Sequence, residues 1–118
     1  MKPKVVSMIA FASLMVASSA MATDMPDNAK RNECVACHAI DHKVVGPAWM
    51  EVSKKYKGVT QYTYDGKEYP IVEGLMLKVS KGGKGNWKGY LPMPAIDLKG
   101  GKQQQIKELI VFVLGLAK

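Results

Sequence analysis

The sequence predicts a mostly α-helical domain of about four helices that carries one small β-hairpin. Two segments, residues 71–81 and 102–118, repeat apolar residues at the spacing of an amphipathic helix. Residues 58–73 differ, because tyrosines flank Asp65-Gly66, the pair that favours a two-residue hairpin turn. We therefore expect an all-α fold with a hairpin insertion around residues 60–70.

Residues 1–22 have the composition of a secretory signal peptide. Two lysines precede an apolar run over residues 5–16, and residues 20–22 are the Ala-Met-Ala tripeptide that a signal peptidase recognises. The apolar run is shorter than the roughly 20 residues that a membrane-spanning helix needs. We expect cleavage after the tripeptide, so that residues 23–118 form one exported domain without stable membrane insertion.

A cysteine and histidine motif, Cys34-Val-Ala-Cys37-His38, lies near the start of that domain. Two thiols at this spacing, with an imidazole directly after the second, are the attachment signal for a c-type haem. On a helical turn, Cys34, Cys37 and His38 share one face and could address one flat ligand from the same side. We expect thioether bonds from both sulfurs to haem c, and a bond from the imidazole to the iron.

Two other chemistries can use the same residues. The cysteines could form a redox disulfide, although that motif normally opens a helix after a strand, and no strand pattern precedes Cys34. Zinc could bind the two cysteines together with His38 and His42, although structural zinc sites usually take ligand pairs from separated segments. A zinc or thiol module without haem is therefore kept as an alternative.

The segments on either side of the motif are expected to be helical. A short helix should run from about Pro26 into the motif, and a second should follow Pro47 and end at about Lys57. Residues 41–48 form the loop between them. If this loop folds back under the haem, the Pro47 carbonyl can accept a hydrogen bond from the second imidazole nitrogen of His38 and fix its tautomer.

The second half of the domain is expected to contain two helices joined by an irregular loop. The third helix covers residues 71–81 and is stopped by the glycines that follow it. No periodicity appears over residues 86–101, and a loop of this length in a small domain usually serves a function. The fourth helix covers residues 102–118, with Gly101 as a plausible cap.

The irregular loop also supplies the favoured second ligand for the iron. A methionine thioether opposite a histidine fills the coordination sphere and raises the reduction potential. Met93 lies between two prolines in this loop, whereas Met50 and Met76 occupy helical stripes, where methionine usually packs in the core. We therefore predict Met93 as the ligand and Met76 as the second choice. Trp87, in the same loop, could donate its indole N–H to a haem propionate.

The charge of the chain indicates an acidic partner. The formal net charge is +7, and the chain stays basic after the signal peptide is removed. A basic surface speeds encounter with a redox protein that has acidic docking patches. The lysines are spread along the chain and no nucleic-acid motif is present, so nucleic acid is not expected as a partner. A surface that only keeps the protein soluble is the alternative.

These motifs resemble those of a known family. The haem motif together with Val45-Gly-Pro-Ala-Trp49 resembles the haem-and-proline segment of the small bacterial class I cytochromes c, in particular the periplasmic cytochrome c-551/c-552 group. Gly85-Asn-Trp87 and Leu91-Pro-Met-Pro94 are similar to the methionine loop of that family. The tyrosine-rich segment 58–73 departs from the family pattern by its length, and the spacing from Trp87 to Met93 is one residue longer than usual.

The resemblance implies a class I cytochrome c fold wrapped around one covalent haem c. It implies thioethers at Cys34 and Cys37, axial ligation by His38 and Met93, and a location in the periplasm. The function it implies is electron transfer from a membrane donor complex to a terminal reductase or oxidase, without enzymatic chemistry. A haem-based sensor or catalyst in which a small ligand displaces Met93 is the alternative function.

Overall fold

The computed structural model describes residues 24–117, which fold into four α-helices and one two-stranded antiparallel sheet. The proposed signal peptide lies outside the described residues. Among the described residues, no helix is long and apolar enough to cross a membrane. In chain order the elements are α1 (Asp27–Arg31), a 3₁₀ turn (Cys34–Ala36), α2 (Trp49–Lys55), β1 (Gln61–Tyr64), β2 (Lys67–Pro70), α3 (Ile71–Lys81) and α4 (Gln103–Leu114).

The order and type of these elements confirm the predicted fold class. The third helix has the predicted bounds, and the second and fourth helices end a few residues before their predicted ends. The first helix does not run into the haem motif. It ends at Arg31, because Glu33 takes a left-handed conformation, with φ of 59°, that breaks the helical path before the 3₁₀ turn begins.

The hairpin lies along α3. Asp65 and Gly66 both have positive φ values, 50° and 79°, as a type I′ turn requires. Tyr62 packs against Gly74 so closely that a Cβ at this glycine would lie 2.6 Å from the Tyr62 Cβ. The absence of a side chain at Gly74 therefore allows the strand to approach the helix.

Helix α4 connects two apolar clusters. In one cluster, Leu109 and Val113 pack with Ala29 of α1, Trp49 of α2 and the Cys34 side chain. The other cluster, formed with the hairpin and α3, contains Tyr56, Tyr62, Leu75, Ile106 and Ile110. Ile106 is completely buried, and full burial of such a side chain contributes roughly 1.5–3 kcal/mol.

Polar contacts fix both ends of α4. At its C-terminal end, the Ser53 hydroxyl of α2 donates to the Leu114 carbonyl and accepts from the Ala117 amide, at 3.1 and 2.9 Å. Before its N-terminal end, one Asp97 carboxylate oxygen accepts from the Gly101 amide, and the other accepts from the Lys102 amide. The Asp97 carboxylate therefore fixes the turn that leads into α4, whose N-cap residue is Lys102 and not the predicted Gly101.

The hydrogen bonds at Asp97 make its contribution to stability depend on ionisation. The Gln103 amide group donates to the carboxylate at 2.9 Å, and this bond, together with those from the backbone amides, lowers the pKa of Asp97 below its ordinary value of 3.8. A carboxyl group whose pKa falls on folding stabilises the folded state while it is ionised. The contribution is complete above the ordinary pKa and is lost as the pH falls through the lowered pKa.

We predict that Asp97→Asn lowers the melting temperature at neutral pH, because the asparagine NH₂ group cannot accept the hydrogen bonds that the second carboxylate oxygen accepts. The difference from the unchanged protein should be constant down to about pH 5 and should shrink below about pH 4. Thermal unfolding followed by circular dichroism between pH 7 and pH 3 measures this difference. Glu108→Gln, which changes an exposed carboxylate on α4, serves as the control. A difference that is undiminished at pH 3 would contradict a contribution from the ionised Asp97 carboxylate.

Candidate functional site

A cavity of about 390 Å³ opens between the haem motif, the hairpin, α3, α4 and the irregular loop. Its volume lies within the usual range for cofactor and ligand sites. Apolar side chains of α3 and α4 form much of its wall, among them Leu75, Val79, Leu109, Ile110 and Val113. All six residues that the sequence singled out line this cavity: Cys34, Cys37, His38, Pro47, Trp87 and Met93.

The haem motif forms a tight turn at one side of the cavity. The Cys34 carbonyl accepts hydrogen bonds from the amides of Cys37 and His38, at 3.1 and 2.9 Å. This turn brings both thiols and the imidazole to the cavity wall, although the chain is not part of a continuous α-helix here. Both thiols are free, with Cys34 buried and Cys37 half-buried. Burial raises the pKa of the Cys34 thiol, which is therefore protonated at neutral pH.

The His38 ring is held by its backbone surroundings. Its Nδ1 lies 2.8 Å from the Pro47 carbonyl oxygen. A carbonyl can only accept, so Nδ1 carries the proton and Nε2 keeps a lone pair for a metal. Burial lowers the pKa of His38, and the hydrogen bond to Pro47 opposes this shift only in part, so the ring is neutral at pH 7. Gly46 lies against the ring, where a Cβ would be 2.6 Å from the His38 Cε1.

The backbone around Met93 is anchored to the end of α3. Met93 and Gly83 exchange two hydrogen bonds, with N···O distances of 2.8 and 3.1 Å. Gly82 has a φ of 73°, and a Cβ there would lie 2.4 Å from the Met93 carbonyl oxygen. Only glycine permits this approach. Among the described methionines, Met93 lines the cavity, whereas Met76 packs in the cluster between α3 and the hairpin.

Two aromatic residues that line the cavity, Trp87 and Tyr90, each contact a lysine side chain. The Lys55 Nζ is 4.7 Å from the centre of the Trp87 ring, and the Lys43 Nζ is 4.3 Å from the centre of the Tyr90 ring. The two aromatic rings meet edge to face, with their centres 5.9 Å apart. The Lys43 contact joins the loop that follows the haem motif to the loop that contains Met93, and the Lys55 contact joins the end of α2 to the same loop. Lys43 and Tyr90 were not predicted from the sequence, because no local pattern pairs residues so far apart.

The hairpin also contributes to the cavity through Tyr62, which the sequence analysis did not assign to the site. Tyr62 is buried and packs edge to face on Tyr56, with ring centres 5.7 Å apart. Burial raises the pKa of Tyr62, which stays neutral at physiological pH. Asn86, in the irregular loop, lies 3.4 Å from the Tyr56 hydroxyl. Two tyrosines therefore form one wall of the cavity next to the methionine loop.

The donor set of this cavity fits the covalent haem that the motif predicts. Two free thiols, a neutral imidazole with one available nitrogen and a thioether converge on one apolar space. The zinc alternative lacks a matching geometry. Within residues 24–117, no three His, Cys, Asp or Glu side chains lie close enough together to hold a metal ion. His42 is exposed and pairs with Asp41 at 2.8 Å.

Comparison with known proteins gives relatives that span most of the chain. Cytochrome c-551 of Allochromatium vinosum is 34% identical over 108 residues, which are 92% of this chain and 100% of that protein. Cytochrome c-552 of Nitrosomonas europaea is 37% identical over 94 residues, 80% of each chain. Cytochrome c-551 of Pseudomonas aeruginosa is 31% identical over 111 residues, 94% of this chain and 97% of that protein.

A solved structure agrees with these sequence relatives. The crystal structure of wild-type Nitrosomonas europaea cytochrome c552 superimposes with a TM-score of 0.59 at 33% sequence identity. The match covers 76% of this chain and 96% of that chain. No protein-family model matches the chain.

We predict that Gly46→Ala displaces the His38 ring, because the new Cβ would fall inside van der Waals contact with Cε1. Overpacking of this kind typically costs about 1–3 kcal/mol of unfolding free energy. Denaturant unfolding of the haem-loaded protein measures the cost, and the NMR signal of the His38 Nδ1 proton should shift or exchange faster. Gly101→Ala is the matched control, because a Cβ at Gly101 meets no atom within 4 Å. Equal effects from both substitutions would contradict a specific contact at His38.

Proposed function

Because the chain belongs to the small bacterial class I cytochromes c of the c-551/c-552 group, we propose that it is a periplasmic monohaem electron carrier with His38 and Met93 as axial ligands. The family carries one covalently bound haem c and transfers electrons. The observation that supports the proposal for this chain is the convergence of both free thiols, one imidazole and one thioether on a single apolar cavity.

The residues of the haem motif would hold the cofactor. Cys34 and Cys37 would form the two thioether bonds, and His38 would coordinate the iron through Nε2. The haem, when bound, supplies an iron that alternates between the ferric and ferrous states. The hydrogen bond from Nδ1 to the Pro47 carbonyl keeps the ring in the tautomer that frees Nε2 and makes that nitrogen more basic.

Met93 would complete the coordination from the opposite loop. Its thioether favours ferrous iron and so raises the reduction potential. The paired hydrogen bonds with Gly83 hold the Met93 backbone at a fixed position beside α3. With both axial positions filled by the protein, no position stays open for a substrate. This arrangement supports electron transfer rather than catalysis.

The cavity wall would limit the structural change that accompanies electron transfer. The side chains of Leu75, Val79 and Ile110 exclude water from the interior, where few polar groups could reorient. Trp87 lines the cavity and is half-buried, and its indole N–H could donate to a haem propionate.

The rim of the cavity fits an acidic redox partner. Lys78, Lys84 and Lys88 line the cavity, and no acidic residue occurs between Glu73 and Asp97. Such a basic rim would orient the cofactor edge towards an acidic patch on a membrane donor complex or on a terminal reductase or oxidase. Export of residues 23–118 to the periplasm would place the carrier in the compartment of those partners.

We predict that Met93→Ala removes the red-edge absorbance band that arises from iron–methionine bonding. The ferrous protein should then bind carbon monoxide, because the sixth position has lost its ligand. Visible spectra of both oxidation states, recorded with and without carbon monoxide, measure these changes. Met76→Ala is the matched control, since Met76 packs outside the cavity.

The mass of the unsubstituted protein tests haem attachment and export. Protein recovered from the periplasmic fraction of cells that contain haem-attachment machinery should begin at Thr23 and carry the added mass of one haem. An unchanged spectrum in Met93→Ala would move the axial ligand elsewhere. Carbon monoxide binding by the unsubstituted protein would instead support the sensor function.

We predict that Lys84→Glu with Lys88→Glu slows oxidation of the ferrous protein by ferricyanide, a small anionic oxidant. Both lysines are exposed at the cavity rim, so reversing their charge replaces attraction by repulsion. The rate constant should fall roughly tenfold at low ionic strength, and the difference should shrink as salt screens the charges. Stopped-flow absorbance measures the rate.

The control is Lys54→Glu with Lys107→Glu, which gives the same change in net charge at two exposed lysines outside the cavity. Equal slowing in both variants would show that only net charge matters.

A further inference from the structure

The hairpin makes one polar contact with the segment that anchors Met93. Strand β1 runs along α3 in the direction of that helix, since Tyr62 packs on Gly74 and Tyr64 reaches the end of α3. The Tyr64 hydroxyl donates to the Gly82 carbonyl at an O···O distance of 2.9 Å. A side chain of the tyrosine-rich insertion therefore contacts the first residue after α3.

The contacted segment is the one that holds the methionine loop. Gly82 precedes Gly83, whose amide and carbonyl exchange hydrogen bonds with Met93. Two consecutive glycines have a large conformational freedom, which the folded state must restrict. The Lys78 side chain donates to the Gly83 carbonyl from α3, and the Tyr64 hydroxyl donates to the Gly82 carbonyl from the hairpin. The two carbonyls are thus fixed from two different elements.

We propose that Tyr64 is a positioning residue that holds the Gly82-Gly83 segment and, through it, Met93. The inference rests on the proposed function, in which Met93 is the sixth ligand. The tyrosine-rich hairpin then helps to hold that ligand in position. Tyr64 is not among the residues that line the cavity, and its effect passes through the backbone hydrogen bonds between Gly83 and Met93.

Tyr64→Phe tests the proposal, because it keeps the ring and removes only the hydroxyl. The loss of one hydrogen bond should make exogenous imidazole displace Met93 more readily. Its apparent affinity for the ferric protein should rise roughly three- to tenfold. Imidazole titration, followed by loss of the red-edge band at fixed pH, measures this affinity.

Amide hydrogen exchange gives a second readout that does not depend on the iron ligand. The amides of Gly83 and Met93 should exchange faster in the haem-loaded Tyr64→Phe protein. The amide of the fully buried Ile106, bonded to the Lys102 carbonyl at 3.0 Å, should keep its rate. Tyr69→Phe is the matched control, because within residues 24–117 the hydroxyl of this half-buried hairpin tyrosine has no hydrogen-bond partner in the protein.

The outcomes distinguish a failure of the positioning role of Tyr64 from a failure of the ligand assignment of Met93. Unchanged imidazole affinity and unchanged exchange at Gly83 and Met93 would overturn the positioning role of Tyr64. Faster exchange that includes Ile106 would also overturn it, because the hydroxyl would then contribute only to global stability. If Met93→Ala leaves the spectrum unchanged, the ligand assignment of the proposed function fails. The exchange rates then still decide whether Tyr64 holds the loop.

Discussion

The packing of α4 against the rest of the domain is the interaction on which the site depends. Leu109 and Val113 pack with α1 and α2, which adjoin the haem motif, while Ile106 and Ile110 pack with the hairpin and α3, which adjoin the methionine loop. The two sides of the cavity belong to parts of the chain that are distant in sequence. They are brought to a common space because one helix buries both sets of apolar residues. Ser53 and Asp97 fix the two ends of this helix by hydrogen bonds.

The features that sequence predicts well here are those that depend on neighbouring residues. The Asp65-Gly66 turn, the bounds of α3 and the turn of the haem motif follow from local backbone preferences and spacing. The Lys43–Tyr90 contact needs tertiary structure, because the fold brings together two residues that are far apart in the sequence. Asp97 was assigned only to the irregular loop, although the hydrogen bonds that it accepts from the Gly101 and Lys102 amides are local. The break after α1 was missed for a related reason, since nothing in Asn32-Glu33 indicates a left-handed residue. The convergence of Met93 with the haem motif was expected from its loop context, whereas its anchoring to Gly83 was not.

The two candidate axial residues are held in different ways. The His38 side chain is fixed directly, through a hydrogen bond to the Pro47 carbonyl and the close approach of Gly46. Met93 is held by backbone hydrogen bonds to Gly83, because a thioether is a poor hydrogen-bond partner. How firmly the Met93 thioether would bind a metal therefore depends on the rigidity of the segment to which the Met93 backbone is hydrogen-bonded. In this protein that segment is a pair of glycines, which need support from outside their own loop.

The tyrosine-rich hairpin provides this support for the glycine pair. It packs on α3 through Tyr62 and Gly74, within the apolar cluster that also contains Leu75. Its end then lies where the Tyr64 hydroxyl can reach the Gly82 carbonyl. A separate contact, of Lys43 with Tyr90, joins the methionine loop to the loop that follows the haem motif. The methionine loop is therefore restrained from two sides, and both restraints come from residues that sit outside the cofactor-attachment motif. Both restraints act on the backbone around Met93, so each can be changed by substitution without touching Cys34, Cys37 or His38.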